Sequence, residues 1–213
     1  MANRDEIENK VVLIGESTVG KTCIILQFID GRFKANSLST LSAQFCRKNF
    51  EFPENKRIAL DIWDTVGQEK FRSLNKIFYS NARAVILVYD ITNKKSFENL
   101  DKWISDLKTN GDDKLSIILL GNKSDLEDKR VISIEEGKNK AEFYKFAFME
   151  TSALNGSNIE KAFNELIMDV YKNNHELFEK QAKVEINGNK KTIELDKGEN
   201  NESQDNEKKW CCW

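Results

Sequence analysis

Gly15-Glu16-Ser17-Thr18-Val19-Gly20-Lys21-Thr22 fits the spacing G-x-x-x-x-G-K-[ST]. Glycines at both ends let backbone N–H groups curl around phosphate oxygens, and a helix starting where the loop ends adds partial positive charge. The Lys21 ammonium would reach β- and γ-phosphates, and the Thr22 hydroxyl would ligate Mg²⁺. A second segment, Asp61-Ile62-Trp63-Asp64-Thr65-Val66-Gly67-Gln68-Glu69, closes an alternating strand. Asp64 is the carboxylate expected behind the Mg²⁺, and Gly67 can bring a backbone N–H against a γ-phosphate because no side chain intervenes. Gln68 carries both donor and acceptor, as orienting a water for in-line attack requires.

Asn122-Lys123-Ser124-Asp125 follows an apolar strand immediately. A carboxylate there can accept from the N1–H and exocyclic amine of guanine, neither of which adenine offers. The wrong base would leave that carboxylate unpaired, which discriminates strongly. The Lys123 stem would cover the base. Thr151-Ser152-Ala153-Leu154 is a second base loop, with backbone N–H groups for the purine carbonyl. Cys23 and Leu126, beside these motifs, belong to the same lining, although Cys23 and Cys46 each stand in apolar surroundings that suit small core residues.

These residues need strands and helices to hold them. Residues 10–15 form an apolar run ending in Gly, followed by a helical pattern through Ile24, Ile25, Phe28 and Ile29. Segments 43–52 and 57–63 alternate as strands around Pro53-Glu54-Asn55. The continuous apolar runs 84–91 and 115–121 suit strands buried on both sides. Amphipathic helices are expected at about 94–109, 134–146 and 157–172, with a short last strand at 147–150. This alternation predicts an α/β three-layer fold around a mostly parallel sheet. From Lys180 to Lys209 the chain is polar and aperiodic, a flexible tail that ends Trp210-Cys211-Cys212-Trp213.

Composition sets outer limits. The 213 residues suit one domain with a tail, and 39% hydrophobic content can bury a core. With 33 basic against 35 acidic residues there is no basic field to collect nucleic acid. No apolar stretch is long enough to span a membrane, and the charged start MANRDEIENK is not a secretory signal. A cytosolic protein is expected. His175 is the only histidine, so a histidine general base is not expected. A P-loop kinase would share only Gly15–Thr22; it gives no reason for Asn122-Lys123-x-Asp125, and no arginine-rich lid is present.

The four motifs in this order resemble the Ras superfamily of small GTPases. Trp63 before Asp64-Thr65, Phe71-Arg72-Ser73-Leu74, Leu87-Val88-Tyr89-Asp90-Ile91-Thr92 and Phe78-Tyr79-Ser80-Asn81-Ala82 resemble signatures of its Rab branch. The resemblance implies a P-loop NTPase fold with a six-stranded sheet and about five helices, a GTPase domain over 8–175 and a hypervariable tail over 178–213. It makes Thr40 the switch threonine on Mg²⁺ in the GTP state, catalytic with Lys21, Gly67 and Gln68, and Phe33 the aromatic against guanine. It makes Phe45, Trp63 and Tyr79 a surface patch read by effectors. Ser39-Thr40-Leu41-Ser42-Ala43-Gln44-Phe45 is closer to the endosomal members.

Val66 stands where the family nearly always has Ala, and its β-branch is stiffer and larger. A GTP-loaded docking module with little hydrolysis therefore stays open as the alternative to a cycling switch. Thr18 occupies a loop position that is often Gly, and Leu154 one that is often Lys. Position 210 is Trp, so no single-prenyl box is present; Cys211-Cys212-Trp213 resembles paired-cysteine ends that receive two geranylgeranyl groups. One lipid anchors marginally and two anchor stably. The resemblance implies a monomer cycling from cytosol to vesicle or endosomal membranes. Its partners would be an exchange factor, a GTPase-activating protein, a prenylation escort, a GDP-dissociation inhibitor and effectors.

Overall fold

The computed structural model describes residues 6–33, 44–52, 56–65, 78–112 and 114–173. Six strands form one sheet: β1 (Glu6–Ile14), β2 (Gln44–Phe52), β3 (Lys56–Asp64), β4 (Ala82–Asp90), β5 (Ser116–Asn122) and β6 (Ala147–Thr151). Their order across the sheet is β2-β3-β1-β4-β5-β6. Only β2 and β3 pair antiparallel; the other four pairings are parallel. Five α-helices lie among the described residues: α1 (Lys21–Asp30), α2 (Lys94–Glu98), α3 (Leu100–Asn110), α4 (Ile134–Tyr144) and α5 (Ile159–Asn173).

The two-residue period of the strands sorts their side chains into two cores. Val11 and Leu13 of β1, Ile86 and Val88 of β4 and Ile118 and Leu120 of β5 face the layer formed by α1 and α5. Val12, Ile14, Val85, Leu87, Tyr89 and Leu119 face the layer of α3 and α4. β4 and β5 are thus buried on both faces, which is why they read as continuous apolar runs. Phe28 of α1 stacks on Phe163 of α5 at 3.6 Å between ring centroids, locking the two helices of one layer. On the other face the Tyr89 ring fills the slot left by two glycines. A Cβ on Gly121 would lie 2.7 Å from its hydroxyl, and one on Gly137 would lie 2.3 Å away.

Several boundaries differ from the sequence expectation, each for a local reason. The 94–109 segment divides at the buried Asn99, whose carbonyl accepts from both Lys102 and Trp103 N–H groups at 3.1 and 3.4 Å. The backbone stays right-handed there (φ −74°, ψ −9°), so the two helices meet at a tightened turn. α4 stops at Tyr144 because Lys145 turns left-handed (φ 61°), its N–H bonding back to the Ala141 and Glu142 carbonyls. At its start, Ser133 and Glu136 exchange side-chain and backbone bonds, a reciprocal cap. β1 begins four residues earlier than expected, carried by parallel pairing from Glu6 opposite Arg57. Among the described residues no helix is long and apolar enough to cross a membrane.

Ile86 sits fully buried at the centre of β4. Ile86→Ala should cost about 3 kcal/mol in urea unfolding and lower Tm by about 10 °C.

Candidate nucleotide site

β1 lies between β3 and β4, so the chain leaving β1 reaches one side of the sheet and later returns to the other. Such a reversal opens a crevice at the carboxyl ends of the strands. The Gly15–Thr22 loop occupies it. Gly15 holds φ 140°, and a Cβ there would lie 2.2 Å from the Val88 carbonyl oxygen. Gly20 holds φ 99°, and its Cβ would lie 2.4 Å from the Asn122 amide nitrogen. Both positions therefore require glycine, on backbone conformation and on space. Thr18 is a β-branched residue at φ 66° in the same loop, a conformation that stores strain.

Lys21 begins α1, yet only 6% of it is exposed. Its Nζ donates to the carbonyls of Gly15 at 2.9 Å and Glu16 at 2.8 Å, so the loop curls around the ammonium. Burial pulls its pKa down to about 8, with Asp64 and Glu16 opposing. Glu16 in turn accepts from the Trp103 indole N–H at 3.3 Å, tying the loop to α3. The N-termini of α2 and α4 carry side-chain caps from Asn93 and Ser133, whereas α1 has none. The first-turn N–H groups of α1 are thus offered to an anion beside a buried cation.

The Thr22 hydroxyl donates to Asp64 Oδ2 at 2.5 Å, joining the first turn of α1 to the end of β3. A hydroxyl and a buried carboxylate are hard oxygen donors that fit Mg²⁺, which takes few protein ligands and completes its shell with phosphate and water. Thr65 donates to the Leu13 carbonyl at 2.6 Å, which fixes the chain leaving β3.

The base loops follow β5 and β6. Asn122 is 1% exposed and faces other loops: its Nδ2 donates to the Val19 carbonyl at 2.8 Å, and its Oδ1 accepts from Ala153 N–H at 3.2 Å. Asp125 accepts a short hydrogen bond from the Ser152 hydroxyl, and Ser124 N–H reaches the Thr151 carbonyl at 3.0 Å. Lys123 has a left-handed backbone (φ 70°), and its ammonium pairs with Asp90 at 2.6 Å. Asp90 also accepts from the Thr92 N–H and hydroxyl at 2.8 and 2.7 Å.

Gly15 to Thr22, Asp64, Asn122, Lys123, Asp125 and Ser152 thus lie at the carboxyl end of the sheet. Val19 and Ala153 are buried among core residues and contribute backbone there; Cys23 packs its side chain against the α1 layer. Leu126 is half-buried, whereas Leu154 and Phe33 are exposed. Thr40, Val66, Gly67, Gln68, Cys211 and Cys212 lie outside the described residues. The aromatic patch needs a correction: Tyr79 is only 2% exposed and belongs to the core under α3, so it is not a surface residue. Phe78 stands beside Trp63 instead, with ring centroids 6.1 Å apart, while Phe45 meets Trp63 edge-on at 5.4 Å and is 52% exposed. An aromatic pair one residue apart leaves the sequence unable to tell which one faces inward.

Asp90 lies in none of the phosphate- or base-loop motifs and joins the site through its ion pair with Lys123. Asp90→Asn should keep a partner for Thr92 while removing the charge that holds Lys123. A fluorescent guanine nucleotide should then leave about tenfold faster in a stopped-flow release assay.

Residues 10–172 match the Ras family model. Ras-related protein RABA5e of Arabidopsis thaliana is 37% identical over 211 residues, covering 98% of this chain and 95% of that protein. Ras-related protein Rab-8B of Dictyostelium discoideum is 42% identical over 163 residues (76% of this chain, 80% of that protein). Ras-related protein Rab-10 of Diplobatis ommata is 44% identical over 161 residues, with the same two shares of 76% and 80%. The site geometry and these likenesses agree: the chain belongs to the Ras family, in its Rab branch of small GTPases, which bind guanine nucleotide and hydrolyse GTP as switches in vesicle traffic.

Proposed function

We propose that this chain is a cycling switch which hydrolyses GTP slowly and works at the cytosolic face of vesicle or endosomal membranes. The observation that carries the reading is the convergence of three separate devices at the carboxyl end of the sheet. These are the Lys21 ammonium curled into its own loop, the Thr22–Asp64 oxygen pair, and the Asp125–Ser152 contact between the base loops. Residues 8–175 form the GTPase domain in this reading, and 178–213 the tail that carries the anchor.

Lys21 and the uncapped start of α1 hold the phosphates. Thr22 and Asp64, with Thr40 in the GTP form, would hold Mg²⁺, which would supply charge neutralisation at the phosphates. Gln68 orients the attacking water, and Gly67 lends its N–H to the γ-phosphate. Lys34–Leu41 contains no Arg to serve as a finger in cis, so an activating protein supplies one, worth roughly 10³–10⁵ in rate. Loss of the γ-phosphate frees Thr40 and Gly67, and the effector surface around Phe45, Trp63 and Phe78 changes with them. An exchange factor reloads the site. A prenylation escort and a GDP-dissociation inhibitor handle the lipidated tail, in which Cys211 and Cys212 each carry a geranylgeranyl group.

Single-turnover hydrolysis of GTP, with and without Mg²⁺ and a Rab-type activating domain, tests the cycle. A slow Mg²⁺-dependent rate, strongly raised by the activating domain, is expected; Gln68→Leu should remove most of that stimulation. Unchanged stimulated turnover in Gln68→Leu would refute the role given to Gln68. Tight GTP binding with no hydrolysis at all would favour the docking module that Val66 leaves open. For the anchor, the prenylated chain should sediment with liposomes, either single Cys→Ser variant should partition weakly, and Cys211→Ser with Cys212→Ser should stay in the supernatant. Equal sedimentation of all four proteins would exclude these cysteines as the anchor.

A further inference from the structure

Arg130 follows the short 3₁₀ turn Glu127–Lys129 that leads away from Asp125 and Leu126. Its side chain is 14% exposed, and its guanidinium grips Glu150 of β6 with two parallel bonds, Nη1 to Oε1 and Nη2 to Oε2, each 2.7 Å. Nε and Nη2 also reach the Glu127 carboxylate at 2.9 and 2.7 Å, and Nη1 donates to the Ile132 carbonyl at 2.9 Å. One side chain thus braces its own loop, Glu127 to Ile132, and ties it to β6. An exposed ion pair of this kind would contribute little. Here Glu150 is only 12% exposed and the contact is a planar fork, a geometry that Lys cannot reproduce.

The positions of these carboxylates give the network its reach. Glu150 immediately precedes Thr151-Ser152-Ala153, and Glu127 lies two residues beyond Asp125. β6 is an edge strand whose sheet neighbour is β5, so the loop after it is held laterally from one side. Nearer the crevice, the Ser152 hydroxyl and Asn122 amide join the same loops. Arg130 adds a tie on the far side of the loops, behind the Asp125–Ser152, Ser124–Thr151 and Asn122–Ala153 bonds, where none of those reaches.

We propose that Arg130 is a positioning residue for base selection: by clamping Glu150 to Glu127 it sets the Asp125 loop against the Ser152–Ala153 loop at the separation guanine requires. The inference rests on the reading that these loops hold guanine. A carboxylate aimed at both the N1–H and the exocyclic amine must be fixed in direction as well as distance. When the clamp loosens, the amine contact at the far end of the pair weakens. Hypoxanthine has the N1–H and lacks the amine, so the preference for GDP over IDP reports the aim of Asp125, which stability alone does not.

The test uses the full chain and its Arg130→Met, Arg130→Lys, Glu150→Gln and Asp125→Asn variants. Affinities for GDP and IDP are measured by competition against a fluorescent GDP, with Tm recorded for each protein. Arg130→Met should narrow the GDP-over-IDP preference by about tenfold. Arg130→Lys should recover little of it, because the charge returns without the fork, and Glu150→Gln should narrow it as well. Should Arg130→Met fail to fold, Arg130→Lys and Glu150→Gln decide the matter. A wild-type ratio in both, whatever their Tm, overturns the role of Arg130. An unchanged ratio in Asp125→Asn overturns the guanine reading of the loops itself, whereas a collapse confined to Asp125→Asn overturns the clamp alone.

Discussion

Asn122 joins the carbonyl of Val19 in the phosphate loop to the N–H of Ala153 in the last base loop, and it does so from a fully buried position. Its amide works at both ends, with the Thr151 hydroxyl as a further neighbour of Oδ1 at 3.4 Å. In a low-dielectric surrounding each of these bonds is strong, and an orphaned group would cost about 1–3 kcal/mol. The three loops leave from β1, β5 and β6, which are far apart in sequence, and nothing local holds them together. What permits a single amide to join them is the register of the sheet. Asp90, Asn122 and Thr151 stand side by side across β4, β5 and β6, so both base loops depart from one level, whereas β1 ends lower, with Ile14 opposite Leu87, and the phosphate loop extends up to the Asn122 amide.

The glycines of the phosphate loop belong to the same constraint. Gly20 has no room for a Cβ because Asn122 passes there, and Gly15 has none because β4 does. Spacing that looks like a recognition pattern in sequence is in space a record of close approaches, one to a strand and one to an amide. The two-sided core provides the rigid platform beneath them, since β4 and β5 have no solvent face along which to slide.

The parts of this arrangement legible in the sequence are those encoded within a few residues. Continuous apolar runs gave β4 and β5, and loop spacing placed Lys21, Thr22 and Asp125 near the ends of the elements that carry them. Asp90 was invisible as a site residue because its partner, Lys123, lies in a different loop and meets it only through the pairing of β4 with β5. Arg130 and Glu150 were invisible for the same reason. The break at Asn99 and the left-handed Lys145 depend on backbone bonds that hydropathy does not record. The resemblance put Tyr79 in the surface patch, yet of the two adjacent aromatics it is Tyr79 that docks into the core under α3, a choice the residue types alone do not reveal.

The buried ammonium of Lys21 has an energetic consequence for the protein without its ligand. Desolvating a cation is unfavourable, and two neutral carbonyls offset that only in part, which is why the proton is held less tightly than on a solvated lysine. A bound phosphate would add to the countercharge of Asp64 and Glu16, so occupancy and folding are thermodynamically linked, and every tenfold gain in ligand concentration above Kd adds about 1.4 kcal/mol to the folded state. The free form is therefore less stable than the loaded one. Displacing one nucleotide without immediately admitting another leaves that buried ammonium with less countercharge, and any agent that catalyses exchange gains by supplying some for as long as the site stands open.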